Sequence, residues 1–220
     1  MVPNPFQRVL RGLEEGGARA TIVGGFAVVM HGVNRFTGDL NIVLDPAENK
    51  YRRTVEKLVE CGFQGAPDFN AAAYFEGSLR AEWIKAGRRS LSLKDDESSS
   101  FGVEIFLEPP LPLEKLRLGA VQLNAYGRKF EIISLAALLE MKRLAGRPQD
   151  VMDIENLELV RSMYDEQGNS LAELLRLNPP PGVTAERIDD LVNFAKLSPE
   201  EKIHWLTEML AALGSFCIFG

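Results

Sequence analysis

The segment IVGGFAVVMHGVNRFTGDLNIVL, residues 22–44, constrains the fold more than any other stretch of the chain. The short apolar run Ala20–Val23 is stopped by Gly24-Gly25, which reads as a strand entering a tight turn. Residues 26–31 have helical character and residues 32–38 read as a loop. Residues 40–44 form a β-rich run halted by Asp45-Pro46. Strand, turn, helix, loop and strand in so short a span call for a sheet covered by helices. In the second strand, side chains two apart share a face. Asp39 and Asn41 therefore stand together, while Leu40, Ile42 and Leu44 turn to the opposite, core face.

The remaining pattern extends this plan. Residues 5–15 read as an amphipathic helix ended by Gly16-Gly17, and residues 47–61 as a second with Val55, Leu58 and Val59 on one stripe, closed by Gly62. Residues 81–85 are helical in character and residues 90–93 strand-like. Residues 94–100 form a polar loop, and FGVEIFL at 101–107 is a strong strand closed by Pro109-Pro110. Val121–Ala125 and residues 129–132 flank Tyr126-Gly127-Arg128 and predict a hairpin. From Ser134 the chain turns helical, with helices expected over 135–144, 149–163, 171–175, 185–195 and 199–213. Ser198-Pro-Glu-Glu201 fits a capping box with proline at the first helical position. The fold class expected is α/β (α+β), a core over 1–133 followed by a helical region over 134–220. Residues 134–160 of that region pack on the core, and NPPPG at 178–182 is the best linker. No internal repeat is present.

Composition narrows the function. The 220 residues are 45% hydrophobic, enough for a buried core, and carry a formal charge of -6. Nothing in that balance calls for a DNA or membrane partner, although a local basic patch such as Arg88-Arg89 could meet an RNA backbone. Two distant cysteines, Cys61 and Cys217, form no metal or disulfide pattern and read as inert thiols. No leader pattern and no apolar run near the ~20 residues of a membrane span is evident, so a soluble cytoplasmic protein is expected.

Three features carry chemistry. Glycines at 24 and 25 let backbone approach a ligand closely, and the start of the following helix suits a phosphate. Asp39 and Asn41, two oxygen donors on one strand face, suit a hard cation such as Mg²⁺. Glu104 sits inside an apolar strand with Phe106 on its face. It is either a solvated edge residue or, if its strand lies beside that of Asp39, a group able to accept a proton from a hydroxyl.

These residues, Gly24-Gly25, His31-Gly32, Arg35, Thr37, Asp39 and later Glu104, resemble the nucleotidyltransferase superfamily pattern. More narrowly, Leu138, Lys142, Ala145, Arg147, Asp150 and Asp153 resemble a helical motif of bacterial proteins related to the AbiEii toxins. The resemblance spans roughly residues 18–160. It implies a mixed sheet flanked by helices and transfer of a nucleoside monophosphate from an NTP, with release of pyrophosphate. Mg²⁺ or Mn²⁺ would sit on Asp39 and Asn41, and Gly24, Gly25, Arg35, Thr37 and Lys142 would contact phosphates. Asp39, Asn41 and Glu104 would form the catalytic set. The implied acceptor is RNA or protein, with a cognate antitoxin as a possible partner in a toxin–antitoxin pair.

The sequence departs from that pattern at Asn41, where the superfamily has a second aspartate, and at Glu104, where it often has aspartate. An amide oxygen ligates without neutralising charge, which opens the alternative of a degenerate member that binds nucleotide or a protein partner without transfer. His31, at the end of an apolar helix, reads first as a packing and capping residue, with phosphate contact as the alternative. Asp150 and Asp153, three apart, share a helix face and read as partners of Arg147 or Lys142 that hold helices together. Trp205, Leu206, Met209 and Leu210 read as core or dimer contact.

Overall fold

The computed structural model describes residues 3–45, 50–65, 77–97, 100–164 and 170–216. The elements, in chain order, are α1 (Pro5–Gly16), β1 (Ala20–Val23), α2 (Gly24–Met30), β2 (Asp39–Leu44), α3 (Tyr51–Glu60), β3 (Phe63–Gly65), α4 (Gly77–Lys85), β4 (Ser90–Asp95), β5 (Gly102–Phe106), α5 (Leu113–Arg117), β6 (Val121–Ala125), β7 (Arg128–Ile132), α6 (Leu135–Ala145), α7 (Pro148–Ser162), α8 (Ala172–Leu177), α9 (Ala185–Ala195) and α10 (Pro199–Phe216). The strands form one mixed seven-stranded sheet in the order β3-β4-β5-β2-β1-β7-β6. The β2–β5 and β1–β7 pairs are parallel and the others antiparallel. The expected α/β architecture, with a mixed sheet, flanking helices and a helical C-terminal part, is the one observed.

Local chemistry explains the entry to this fold. Asn4 caps α1 by accepting from the Gln7 amide at 2.9 Å, and the Gln7 side chain accepts from the Asn4 amide at 2.9 Å, a reciprocal capping box. The apolar stripe of α1 (Phe6, Val9, Leu10, Leu13) is buried, and α1 packs along α3, whose Val55 and Leu58 are also buried. One sheet face, made by Ile22, Leu40, Ile42, Leu91, Leu93, Val103 and Ile105, is wholly apolar and almost inaccessible. Phe6, Phe26, Phe63 and Phe101 meet in ring contacts 4.7–6.0 Å apart between centroids. At the sheet margin, buried Arg8 donates to Asp95 at 2.6 Å and to the Cys61 carbonyl at 3.2 Å, which ties α1 to β4.

Sequence and structure differ in short elements. Strand β3 and helix α5, three and five residues long, were not expected from the pattern, because neither offers a full period to read. Strand β4 runs to Asp95, into residues expected to loop, because its pairing with β5 continues to Lys94↔Gly102. Residues 47–49 of the second expected helix, and Cys217, lie outside the described residues. Cys61 is buried and free, its sulfur 3.4 Å from two Arg11 nitrogens.

The C-terminal helices return to the same core. Ile188, Leu191, Val192, Ile203, Leu206 and Leu210 are buried with it, and Trp205 meets Phe194 edge-on at 5.1 Å. Lys202 of α10 is almost fully buried and donates to the carbonyls of Met30 (3.3 Å) and Ala195 (3.2 Å). Among the described residues, no helix is long and apolar enough to cross a membrane.

Candidate functional site

The second sheet face opens into a cleft. Parallel pairing of β2 and β5 sets Asp39 opposite Gly102 and Asn41 opposite Glu104. Neighbours in register on parallel strands project to the same face, so Asn41 and Glu104 stand side by side, with Asp39 two residues along. The burial alternation agrees: Leu40 and Ile42 are buried and Asp39 and Asn41 partly exposed, and Val103 and Ile105 are buried while Glu104 and Phe106 are not. Because β5 lies between β4 and β2, Glu104 is an interior-strand residue. The solvated-edge alternative is thereby removed.

Glycine chemistry shapes the floor. Gly24 has φ 67, in the left-handed region, and a Cβ there would lie 3.1 Å from the Asn41 side chain. At Gly25 a Cβ would come within 2.4 Å of Arg35 Nη2 and 2.6 Å of Thr37 Oγ1. The turn therefore lies directly against the metal-candidate Asn41 on one side and the Arg35–Thr37 loop on the other. Val23, at the N-cap of α2, gives no side-chain cap.

The opposite wall is the helix pair α6–α7, joined through left-handed Gly146. The cleft is about 910 Å³, and its lining includes Gly24, Gly25, Arg35, Thr37, Asp39, Asn41, Glu104 and Lys142. All eight residues expected at the site thus converge on one cavity. Lys142 is sequestered, its side chain 4% exposed and its ammonium donating to Asp150 Oδ1 at 3.0 Å and Asp153 Oδ2 at 2.6 Å. Arg35 Nη1 reaches both Asp153 oxygens at 3.1 and 2.9 Å, and Arg147 Nε reaches Asp150 Oδ2 at 2.7 Å. Two buried carboxylates are therefore shared among three cations. Burial raises the Asp150 carboxyl, but hydrogen bonds and charge from Arg147 and Lys142 outweigh it and hold the group below its ordinary value. The helix-holding role expected for Asp150 and Asp153 agrees with this geometry.

Sequence reasoning did not single out Arg147, Ser90 and Phe106 as cleft residues. Ser90 Oγ donates to Glu104 Oε2 at 3.0 Å, and Lys94 Nζ lies 3.5 Å from Asp39 Oδ1. These depend on β4 pairing with β5, which spacing alone does not reveal. His31 is elsewhere. Its Nε2 bonds the Ile133 carbonyl at 2.8 Å, and burial, partly countered by that bond, lowers its pKa, with Lys202 adding to the lowering. It caps and packs.

Among the described residues, no group of three or more His, Cys, Asp or Glu side chains is arranged to hold a metal. The donor set that exists, the Asp39 carboxylate beside the Asn41 amide, fits the sparse protein ligation of Mg²⁺, which takes one or two carboxylates and completes its shell with water and substrate phosphates.

No protein-family model matches this chain, and no curated protein matches it by sequence. Among solved structures, it is similar to the lincosamide antibiotic adenylyltransferase LnuA in its lincomycin-bound form, at 18% identity and TM-score 0.48 over 72% of this chain and 99% of that one. It is also similar to an antigenic nucleotidyltransferase-like protein from Paracoccidioides brasiliensis, at 17% identity and TM-score 0.46 over 87% and 90% of the two chains. A third similarity is to the antibiotic-resistance factor ANT(2'')-Ia, at 12% identity and TM-score 0.40 over 97% and 92%.

Proposed function

We propose that the protein is a nucleotidyltransferase that moves a nucleoside monophosphate from an NTP to a hydroxyl acceptor. The observation that carries this reading is the register of β2 on β5, which gathers Asp39, Asn41 and Glu104 on one face beside the Gly24-Gly25 turn. In the reaction, the acceptor oxygen bonds to the α-phosphorus, the bond from that phosphorus to the bridging oxygen breaks, and pyrophosphate leaves. The hydroxyl proton passes to Glu104, whose carboxylate Ser90 orients through its 3.0 Å hydrogen bond. The Gly24-Gly25 backbone, Thr37 and Arg35 flank the triphosphate. Asp39 and Asn41 would hold Mg²⁺ or Mn²⁺, which would neutralise phosphate charge and polarise the transferred group. Lys142 acts at one remove, keeping Arg35 and the α6–α7 wall in place through Asp150 and Asp153. Positioning and charge stabilisation supply most of the rate in such chemistry. The reading extends to an AbiEii-type toxin that modifies RNA or protein and is answered by a cognate antitoxin.

One observation favours a second reading, in which the site binds nucleotide or a partner without transfer. Position 41 carries an amide, and the cation Lys94 already sits 3.5 Å from Asp39, so the metal position faces one carboxylate that is partly neutralised. Calorimetric titration with each NTP, with and without Mg²⁺ or Mn²⁺, separates the two. Metal-dependent binding that Asp39→Ala abolishes supports a working donor site, and binding that survives Asp39→Ala refutes the assignment. If wild type shows no transfer and Asn41→Asp restores it, the second reading holds.

A further inference from the structure

Each cation lining the cleft has a carboxylate partner except one. Arg35 is engaged by Asp153, Lys142 by Asp150 and Asp153, and Arg147 by Asp150. Arg89, an exposed residue, also lines the cleft, yet it makes no ion pair among the described residues.

The backbone places Arg89 at one end of the cleft. Its carbonyl accepts from the Leu107 amide at 3.0 Å, which fixes its backbone at the start of β4. The next residue, Ser90, is the one that holds Glu104, and Ser90 pairs with Phe106 in the β4–β5 ladder. Arg89 is therefore on the proton-accepting side of the cleft, across from the α6–α7 wall. Phe106 and Pro110 also line the cleft, an apolar surface on which a flat ring can stack. Arg147, its side chain 75% exposed, lines the opposite wall.

We infer that Arg89 selects the acceptor, and that the acceptor is a hydroxyl compound bearing its own phosphate group. The phosphate binds the guanidinium of Arg89 while the hydroxyl faces Glu104. A planar guanidinium recognises phosphate through paired donors, so the preference is geometric as well as electrostatic. A cationic acceptor would find no partner in Arg89. This inference rests on the proposed transfer reaction, because it takes Glu104 as the group that faces the hydroxyl.

The test uses the full chain saturated with α,β-methylene ATP and Mn²⁺, which fills the donor site without transfer. Adenosine 5'-monophosphate and adenosine are then titrated in parallel by calorimetry, as are glycerol 3-phosphate and glycerol. At least one phosphate compound is expected to bind tenfold or more tightly than its phosphate-free counterpart. Arg89→Ala is expected to bring that ratio within twofold while leaving binding of α,β-methylene ATP unchanged. A short RNA with a free 3'-hydroxyl that binds more tightly than the mononucleotide, and loses the gain in Arg89→Ala, identifies a strand end as the source. Equal binding of the two identifies a small molecule. The inference is overturned if neither phosphate compound outbinds its counterpart, if the preference survives Arg89→Ala, or if a phosphate-free serine peptide binds with no dependence on Arg89. Should α,β-methylene ATP itself not bind, the transfer reading fails separately, and the same pairs titrated into the free protein still decide whether Arg89 binds phosphate.

Discussion

Replacing Lys142 by methionine separates a structural lysine from a phosphate ligand. Methionine keeps most of the apolar stem and removes the ammonium. The Nζ lies 3.0 and 2.6 Å from two carboxylates whose side chains are 2% and 1% exposed. Deleting one partner of a buried ion pair destabilises by about 3–5 kcal/mol, because the remaining charge is left without compensation. Here Arg147 stays on Asp150 and Arg35 on Asp153, so the loss should fall at the lower end, about 3 kcal/mol. With a urea slope of about 2 kcal/mol per molar, the unfolding midpoint drops by roughly 1.5 M. The sign of the pH dependence follows from Asp150. Its folded pKa is depressed, so its contribution is present above the unfolded value of 3.8 and disappears as pH falls through the folded value. The variant loses one of the groups that depress that pKa, so the gap between wild type and Lys142→Met narrows as pH falls below 3.8. Urea melts at pH 7 and in the acid range measure both quantities. A loss under about 1 kcal/mol, typical of exposed pairs, would refute the argument. If NTP binding vanished while stability stayed at the wild-type level, Lys142 would be a phosphate ligand after all.

Other expectations follow from the same geometry. Gly24→Ala places a side chain at φ 67 and 3.1 Å from Asn41. Strain of about 1–2 kcal/mol is expected at such a position, equivalent to a fall in melting temperature of roughly 2–8 °C for a chain of this size. A variant that melts like wild type would show the turn to be permissive. The half-buried His31, whose pKa is lowered chiefly by desolvation, favours its neutral form in the fold, so its unfolded form takes up protons first. Its share of stability is complete above the ordinary value of 6.5 and is lost as pH falls below it. Thermal melts at pH 7.5 and 5.5 should show a decline that His31→Gln flattens, and an equal decline in both would reject the assignment.

Much of the fold was legible because its signals are local. Alternation in residues 39–44 and 101–107 announced two half-buried strands, glycines announced the turn at 24–25, and the run from Ser134 announced helix. The candidate site was legible as a set of residues and illegible as an arrangement. Asn41 and Glu104 are neighbours only because β5 lies beside β2, an ordering no spacing rule encodes. Ser90 carried no signal, since its meaning comes from Glu104, fourteen residues away on a paired strand. Lys142 was expected at the phosphates, and its burial against carboxylates eight and eleven positions on depends on the packing of α6 on α7.

The two sequence motifs meet physically at one point. Arg35 belongs to the loop that carries Thr37 into Asp39, and Asp153 belongs to α7, 118 residues later. Their bond, extended through Lys142 to Asp150 and Arg147, joins the sheet wall of the cleft to its helical wall. Gly25 leaves no room for a side chain beside Arg35, so the turn at the cleft floor is packed against the same cluster. A charge removed from this cluster therefore moves the loop leading to Asp39 as well as the helices. Damage there should lower stability and nucleotide binding together, whereas Asp39→Ala, at a side chain 46% exposed and outside the cluster, should lower binding alone. The difference between those two patterns is what distinguishes the frame of the cleft from its chemistry.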